Sequence, residues 1–118
     1  FELALVDLAD ARALAAALAK PTALVWIETP SNPLLRITDL PAVIAAAHAA
    51  GALALVDNTF LSPALQRPIG FGADFVLHST TKYINGHSDV VGGAVVARDP
   101  AVLETLAWWA NALGLTGA

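Results

Sequence analysis

Ala52-Leu53-Ala54-Leu55-Val56 is a continuous apolar run, and it stops at a carboxylate, Asp57. A run with no polar residue on either side of the pleat is the pattern of a strand covered on both faces. Just before it, Gly51 stands where a glycine ends a helix. Further back, Thr38 or Asp39 with Pro41 stands where a helix begins, and Val43, Ile44 and His48 lie along its length. Ahead of that helix lies a second apolar run, Ala23-Leu24-Val25-Trp26-Ile27, broken by Glu28-Thr29-Pro30-Ser31-Asn32-Pro33. Strand, helix and strand within about 35 residues make a βαβ unit, so the two strands run parallel.

Working outward, Asp7 is expected to cap a helix running to about Lys20, with Asp10 in its first turn, until Pro21 stops it. A third strand is expected over 75–78, after a loop carrying Pro63, Pro68, Gly70 and Gly72. The fourth, over 90–96, follows too soon for a crossover helix and is expected antiparallel. Pro100 opens a last helix through Trp108 and Trp109. The expected class is α/β, with a mixed, mostly parallel sheet and flanking helices.

Composition narrows the function. Hydrophobic residues make up 57 % of the 118 and charged residues 14 %. Although alanine supplies much of that excess, the balance suggests a surface partly covered by more chain or by another subunit. A net charge of −4 with scattered Lys and Arg gives no footprint for nucleic acid. There is no cysteine, hence no disulfide framework or thiolate metal site, which fits a cytoplasmic protein. Every long apolar run is broken by a charge or a proline, so no membrane span is expected. The opening Phe1-Glu2-Leu3-Ala4 carries no targeting signal and looks like the middle of a longer chain.

Three successive strands end in polar residues: Glu28 to Asn32, Asp57-Asn58-Thr59, and Ser79-Thr80-Thr81-Lys82. Loops at the carboxyl ends of parallel strands converge on the usual ligand site of such sheets. Gly70-Phe71-Gly72 precedes a strand and is no dinucleotide fingerprint. His48, His78 and His87 have no metal-pair spacing, no metal site is expected, and no Gly-x-Ser-x-Gly elbow is present. What remains is a lysine after a strand, hydroxyls beside it and an aspartate closing the strand before. Pyridoxal phosphate needs such a set: an amine to bind its aldehyde, hydroxyls for its phosphate, and a carboxylate to keep its ring nitrogen protonated. The competing reading is a solvated lysine after a Ser/Thr turn.

Asp74-x-x-x-x-Ser79-Thr80-Thr81-Lys82-Tyr83-Ile84-Asn85-Gly86-His87-Ser88 resembles the cofactor-attachment signature of the Cys/Met metabolism pyridoxal-phosphate (PLP) enzymes. These are the trans-sulfuration enzymes: cystathionine γ-synthases, β- and γ-lyases and sulfhydrylases. Glu28-Thr29-Pro30-Ser31-Asn32-Pro33 and Val56-Asp57-Asn58-Thr59-Phe60 resemble two more blocks of the family, in the same order. Asn58 to Gln66, Gly86 to Val91 and Ala107 to Asn111 look most like its bacterial γ-synthase branch.

The resemblance implies the central part of the large domain of a fold-type-I, aspartate aminotransferase-like PLP enzyme. Lys82 would be the catalytic lysine that holds the cofactor and later moves protons between substrate carbons. Asp57 would pair with the pyridine nitrogen, and Ser79 and Thr81 would bind the phosphate while Thr80 points elsewhere. Asn32 would lie near the 3′-oxygen and the substrate carboxylate. Glu28 and His87 are read as structural, Tyr83 as packed and Arg36 as a surface charge. The substrates implied are amino acids (an O-acyl-homoserine with cysteine, or cystathionine), the assembly a homotetramer, with neither nucleic acid nor membrane as partner. Upstream of Phe1 the family carries a Gly-rich phosphate segment, a ring-stacking aromatic residue and groups lent to a neighbouring subunit. Beyond Ala118 it carries the substrate-carboxylate arginine and a small C-terminal domain, so this chain alone is expected to bind cofactor poorly. A reading of another class is a non-catalytic oligomerisation module anchored by Trp108 and Trp109.

Overall fold

The computed structural model describes residues 1–115. Its first helix, α1 (Ala11–Leu18), is capped by Asp10, whose side chain accepts the N–H groups of Arg12 and Ala13. Asp7, the expected cap, instead closes the preceding turn, where Oδ1 accepts from the Ala9 N–H at 3.1 Å. Either aspartate suits a cap chemically; the extra turn moves the helix start three residues on.

β1 (Leu24–Glu28), α2 (Leu40–Ala49) and β2 (Leu53–Asp57) form the βαβ unit, with β1 and β2 parallel. Asp39 caps α2 by accepting from the Ala42 N–H, Pro41 sits in its first turn, and Gly51 takes the positive φ of 76° that ends it. Between β2 and the next strand the chain forms two short pieces that hydropathy did not announce: α3 (Ser62–Leu65) and a 3-10 turn, Pro68–Phe71. β3 (Phe75–Ser79) then joins β2 in parallel, and β4 (Gly93–Ala97) pairs with β3 antiparallel. Strand order is β1-β2-β3-β4, the mixed sheet expected. β4 begins at Gly93, later than expected, because Asp89 to Gly92 remain in the preceding loop. α4 (Pro100–Ala112), capped by Asp99, follows.

One sheet face carries the core. Leu14 of α1 and Val43, Ile44 and Ala47 of α2 pack onto Val25, Ile27, Ala54, Val56 and Val76. Ile27, Ile44 and Val56 are fully enclosed. The other face differs from expectation: Leu24, Trp26, Leu53 and Val95 remain exposed, Trp26 at 57 %. β1 thus alternates exposed and buried residues although every one of its first four is apolar, because α1 and α2 pack on one side of it. Trp108 and Trp109 meet edge to face at 4.8 Å between ring centroids, yet both stay more than half exposed and enter no core. No helix among the described residues is long and apolar enough to cross a membrane.

At the amino-terminal edge of the sheet, Asp74 fastens three elements. Its carboxylate accepts from the Ala54 N–H at 2.9 Å, meets His48 Nε2 of α2 at 2.8 Å, and accepts from Arg98 Nη2 at 2.6 Å. The side chain is only 13 % exposed. Burial pushes this carboxyl upward, but the Ala54 bond and the His48 and Arg98 contacts outweigh it and hold it below its ordinary value of 3.8. A carboxyl held lower in the fold than in the open chain stabilises the fold fully above that value. The contribution fades as pH falls through 3.8 toward the lowered folded value. Asp74→Asn puts an amide among three donors and is expected to cost about 1–3 kcal/mol near neutral pH. Urea unfolding of wild type and variant should show that gap narrowing once the pH is below 3.8.

Candidate active site

The parallel register brings the carboxyl ends of β1, β2 and β3 to one edge. Glu28 is the partner of Asp57, and Asp57 of Leu77, which places Ser79 two residues further along the same face as Asp57. Lys82 follows in a turn closed by its own N–H donating to the Ser79 carbonyl at 3.2 Å. Asp57, Ser79 and Lys82 therefore gather at the edge the sequence indicated. Lys82 is exposed and makes no ion pair among the described residues.

Asp57 is half-buried and held by the loop that follows it. Its Oδ1 accepts from the Thr59 N–H at 3.0 Å, an Asx turn that fixes the carboxylate and engages one of its oxygens. Thr59 in turn accepts the Ser79 N–H on Oγ1 at 2.8 Å, joining the aspartate loop to the serine–lysine loop. Sequence reading passed over Thr59. The available signal was its place one residue beyond a strand-ending Asp-Asn pair, where a hydroxyl can serve a neighbouring strand.

Thr81 lies close by but is engaged. Its hydroxyl accepts the Gly92 N–H at 2.9 Å and donates to the Gly92 carbonyl at 3.2 Å. This pair closes the base of the Lys82 loop. Within that loop Asn85 Nδ2 donates to Asp89 Oδ1 at 2.7 Å, and His87 Nδ1 meets the Asn85 carbonyl at 2.9 Å. His87 thus acts as a loop closer, in line with its structural reading. Tyr83, expected to pack, is 65 % exposed, since nothing described covers the loop's outer side.

The Glu28–Pro33 segment is turned by Ser31 and not by Asn32. Ser31 Oγ accepts the Arg36 N–H at 3.2 Å, and the Leu35 N–H donates to the Ser31 carbonyl at 2.8 Å. Asn32 is exposed, its side chain outside this turn. Arg36 pairs with Asp7 at 2.7 Å, so it is a tethered surface charge. Underneath, Asn58 is 1 % exposed and exchanges two side-chain bonds with Gln66, neither of which sequence reading singled out as partners.

Comparison with known proteins agrees with this geometry. Residues 1–118 match the family described as Cys/Met metabolism PLP-dependent enzyme. Cystathionine γ-synthase of Escherichia coli (strain K12) is 57 % identical over 117 residues, covering 99 % of this chain and 30 % of that protein. Cystathionine γ-lyase of Dictyostelium discoideum is 48 % identical over 109 residues, covering 92 % of this chain and 28 % of that protein. Among solved structures, cystathionine γ-synthase from Xanthomonas oryzae pv. oryzae in complex with cystathionine superposes with a TM-score of 0.94 at 73 % identity. That match covers 96 % of this chain and 29 % of the solved one. The chain thus spans about 30 % of the length of these relatives.

The Thr59 tie is open to a direct test. Thr59→Val leaves the Ser79 N–H without its 2.8 Å acceptor and is expected to cost about 1–2 kcal/mol in a urea melt. Thr59→Ser, which keeps the hydroxyl, should recover most of that loss.

Proposed function

Because the chain belongs to the Cys/Met metabolism PLP-dependent enzyme family, we propose that it is the cofactor-holding centre of the large domain of a cystathionine γ-synthase. The reaction proposed is γ-replacement: the sulfur of L-cysteine displaces the acyloxy group of O-succinylhomoserine and gives cystathionine. The observation that carries this reading is the meeting of Asp57, at the end of β2, with Ser79 and Lys82, at and just after the end of β3, on one sheet edge.

The residues present fit the cofactor. Asp57 spends Oδ1 on Thr59 and keeps its second oxygen for the pyridine N–H. Ser79, at the end of β3, and Thr81 supply hydroxyls for the phosphate, as the family pattern has it. Thr81 would do so by exchanging its 3.2 Å bond to the Gly92 carbonyl for a phosphate oxygen while still accepting from the Gly92 N–H. Lys82 supplies the amine. When bound, pyridoxal phosphate provides an electron sink for negative charge at the substrate's carbons. Lys82, displaced by substrate, would take the proton from the α-carbon and then move a second at the β-carbon. Its place on a turn tied to Ser79 and closed by Thr81 and Gly92 keeps that amine beside the carboxylate edge. Asn32 would help orient the substrate carboxylate.

The γ-synthase assignment over its siblings rests on similarity: synthases reach 57 % identity, and 73 % for a solved structure, against 48 % for a γ-lyase and a β-lyase and 51 % for a solved γ-lyase. A cytoplasmic homotetramer is part of the same proposal. In the full-length protein with pyridoxal phosphate, O-succinylhomoserine plus cysteine should yield cystathionine. Consumption of cystathionine alone, with no synthesis, would replace the synthase by a lyase. Lys82→Ala should lower turnover by about three orders of magnitude or more. Borohydride treatment of the wild type should fix the cofactor on the peptide holding Lys82; labelling elsewhere, or none, removes Lys82 from its role.

A further inference from the structure

The β1–β2 ladder ends at the pair Glu28 and Asp57. One residue further on, Thr29 and Asn58 are 3 % and 1 % exposed, and no strand rung joins them. Buried polar groups in that position need partners. Gln66 supplies them. It leaves α3 in extended conformation (φ −141°, ψ 135°), which turns its side chain back toward the sheet. Its Nε2 donates to Asn58 Oδ1 at 2.9 Å and to the Thr29 carbonyl at 3.3 Å, while its own carbonyl accepts from Asn58 Nδ2 at 2.8 Å. A side-chain amide nitrogen has two hydrogens, and here each has an acceptor in a different loop.

From this geometry we infer that Gln66 is a positioning residue that couples the loop bearing Asn32 to the loop bearing Asp57. The inference rests on the cofactor-site reading given above. One –NH2 group takes the place of the next rung of the ladder. Thr29 stands three residues before Asn32, and Asn58 directly follows Asp57, so the amide reaches both loops close to their functional side chains. Among the described hydrogen bonds it is the one side-chain bond crossing between them. Thr59 carries the chain of contacts on to Ser79, so movement at the first loop is resisted through to the third. Gln66 itself touches neither cofactor nor substrate in this arrangement; it acts through Asn58 and Thr29.

The test uses the full-length protein and Gln66→Met, which keeps length and packing but has no amide. Amide hydrogen exchange of residues 29–33 and 57–59 is measured without cofactor, and pyridoxal-phosphate affinity by titration of its visible band. Loss of the bridge should speed exchange in both loops together by about tenfold and weaken cofactor binding by about as much. The pH midpoint of the bound cofactor's band should shift too, a change that a purely structural tie would not produce. Faster exchange confined to residues 62–67, or a lower melting temperature with unchanged cofactor affinity and midpoint, overturns the coupling. Should Gln66→Met fail to fold, Gln66→Asn keeps the amide but is too short to reach both acceptors, and the same readings apply. A wild type that binds no pyridoxal phosphate sinks the function proposed above, while the exchange measurement still decides whether Gln66 joins the loops.

Discussion

The shared burial of Ile44 of α2 with the paired Ile27 and Val56 of β1 and β2 is the constraint from which the rest of the molecule follows. These three side chains are fully enclosed, and they fix α2 against the β1–β2 pair in one register. Interiors packed this closely tolerate little sliding. Because a strand's side chains alternate, a slip of one residue would turn Asp57 from one face to the other. The burial of three aliphatic side chains therefore decides where a carboxylate points. Their removal from water is worth about 1.5–3 kcal/mol each, which together exceeds any single hydrogen bond at the edge they align.

Once the register is set, the polar edge is assembled by small groups acting across loops. Thr59 donates its N–H to Asp57 and accepts the Ser79 N–H on its hydroxyl oxygen. Thr81 and Gly92 close the lysine loop, and Gln66, held by Asn58, bridges the first two loops through the Thr29 carbonyl. None of these is strong singly. Together they bring groups from separate strand ends to one place.

The sheet and its strand directions were legible because apolar runs and helix signals are local. Asp39, Pro41 and Gly51 announced α2, and the short connection before β4 announced its reversal. The placement of Asp57 and Lys82 at the carboxyl edge of the sheet was legible because Asp57 closes an apolar strand run and Lys82 stands just beyond the end of the next strand. Three things were hidden. Whether a strand is covered on one face or two depends on elements elsewhere, so the apolar β1 gave no sign that Trp26 would stay exposed. Asp7 and Asp10 are equally good caps on paper, and only the extra turn separates them. Thr59 and Gln66 were passed over because the bonds that matter join distant parts of the chain: Thr59 to Ser79, 20 residues on, and Gln66 to Thr29, 37 residues back.

β4 reverses the chain, and the reversal has an outcome for how the molecule can change. Running back along β3, it delivers Arg98 to Asp74 at the amino-terminal edge, a full strand length from Lys82. The Asp74–Arg98 clasp and Lys82 therefore sit at opposite ends of one strand pair. Substitutions at the carboxyl-terminal edge can therefore leave the clasp in place, and the clasp can be tuned for temperature or acidity without moving the strand ends where Asp57 and Ser79 stand.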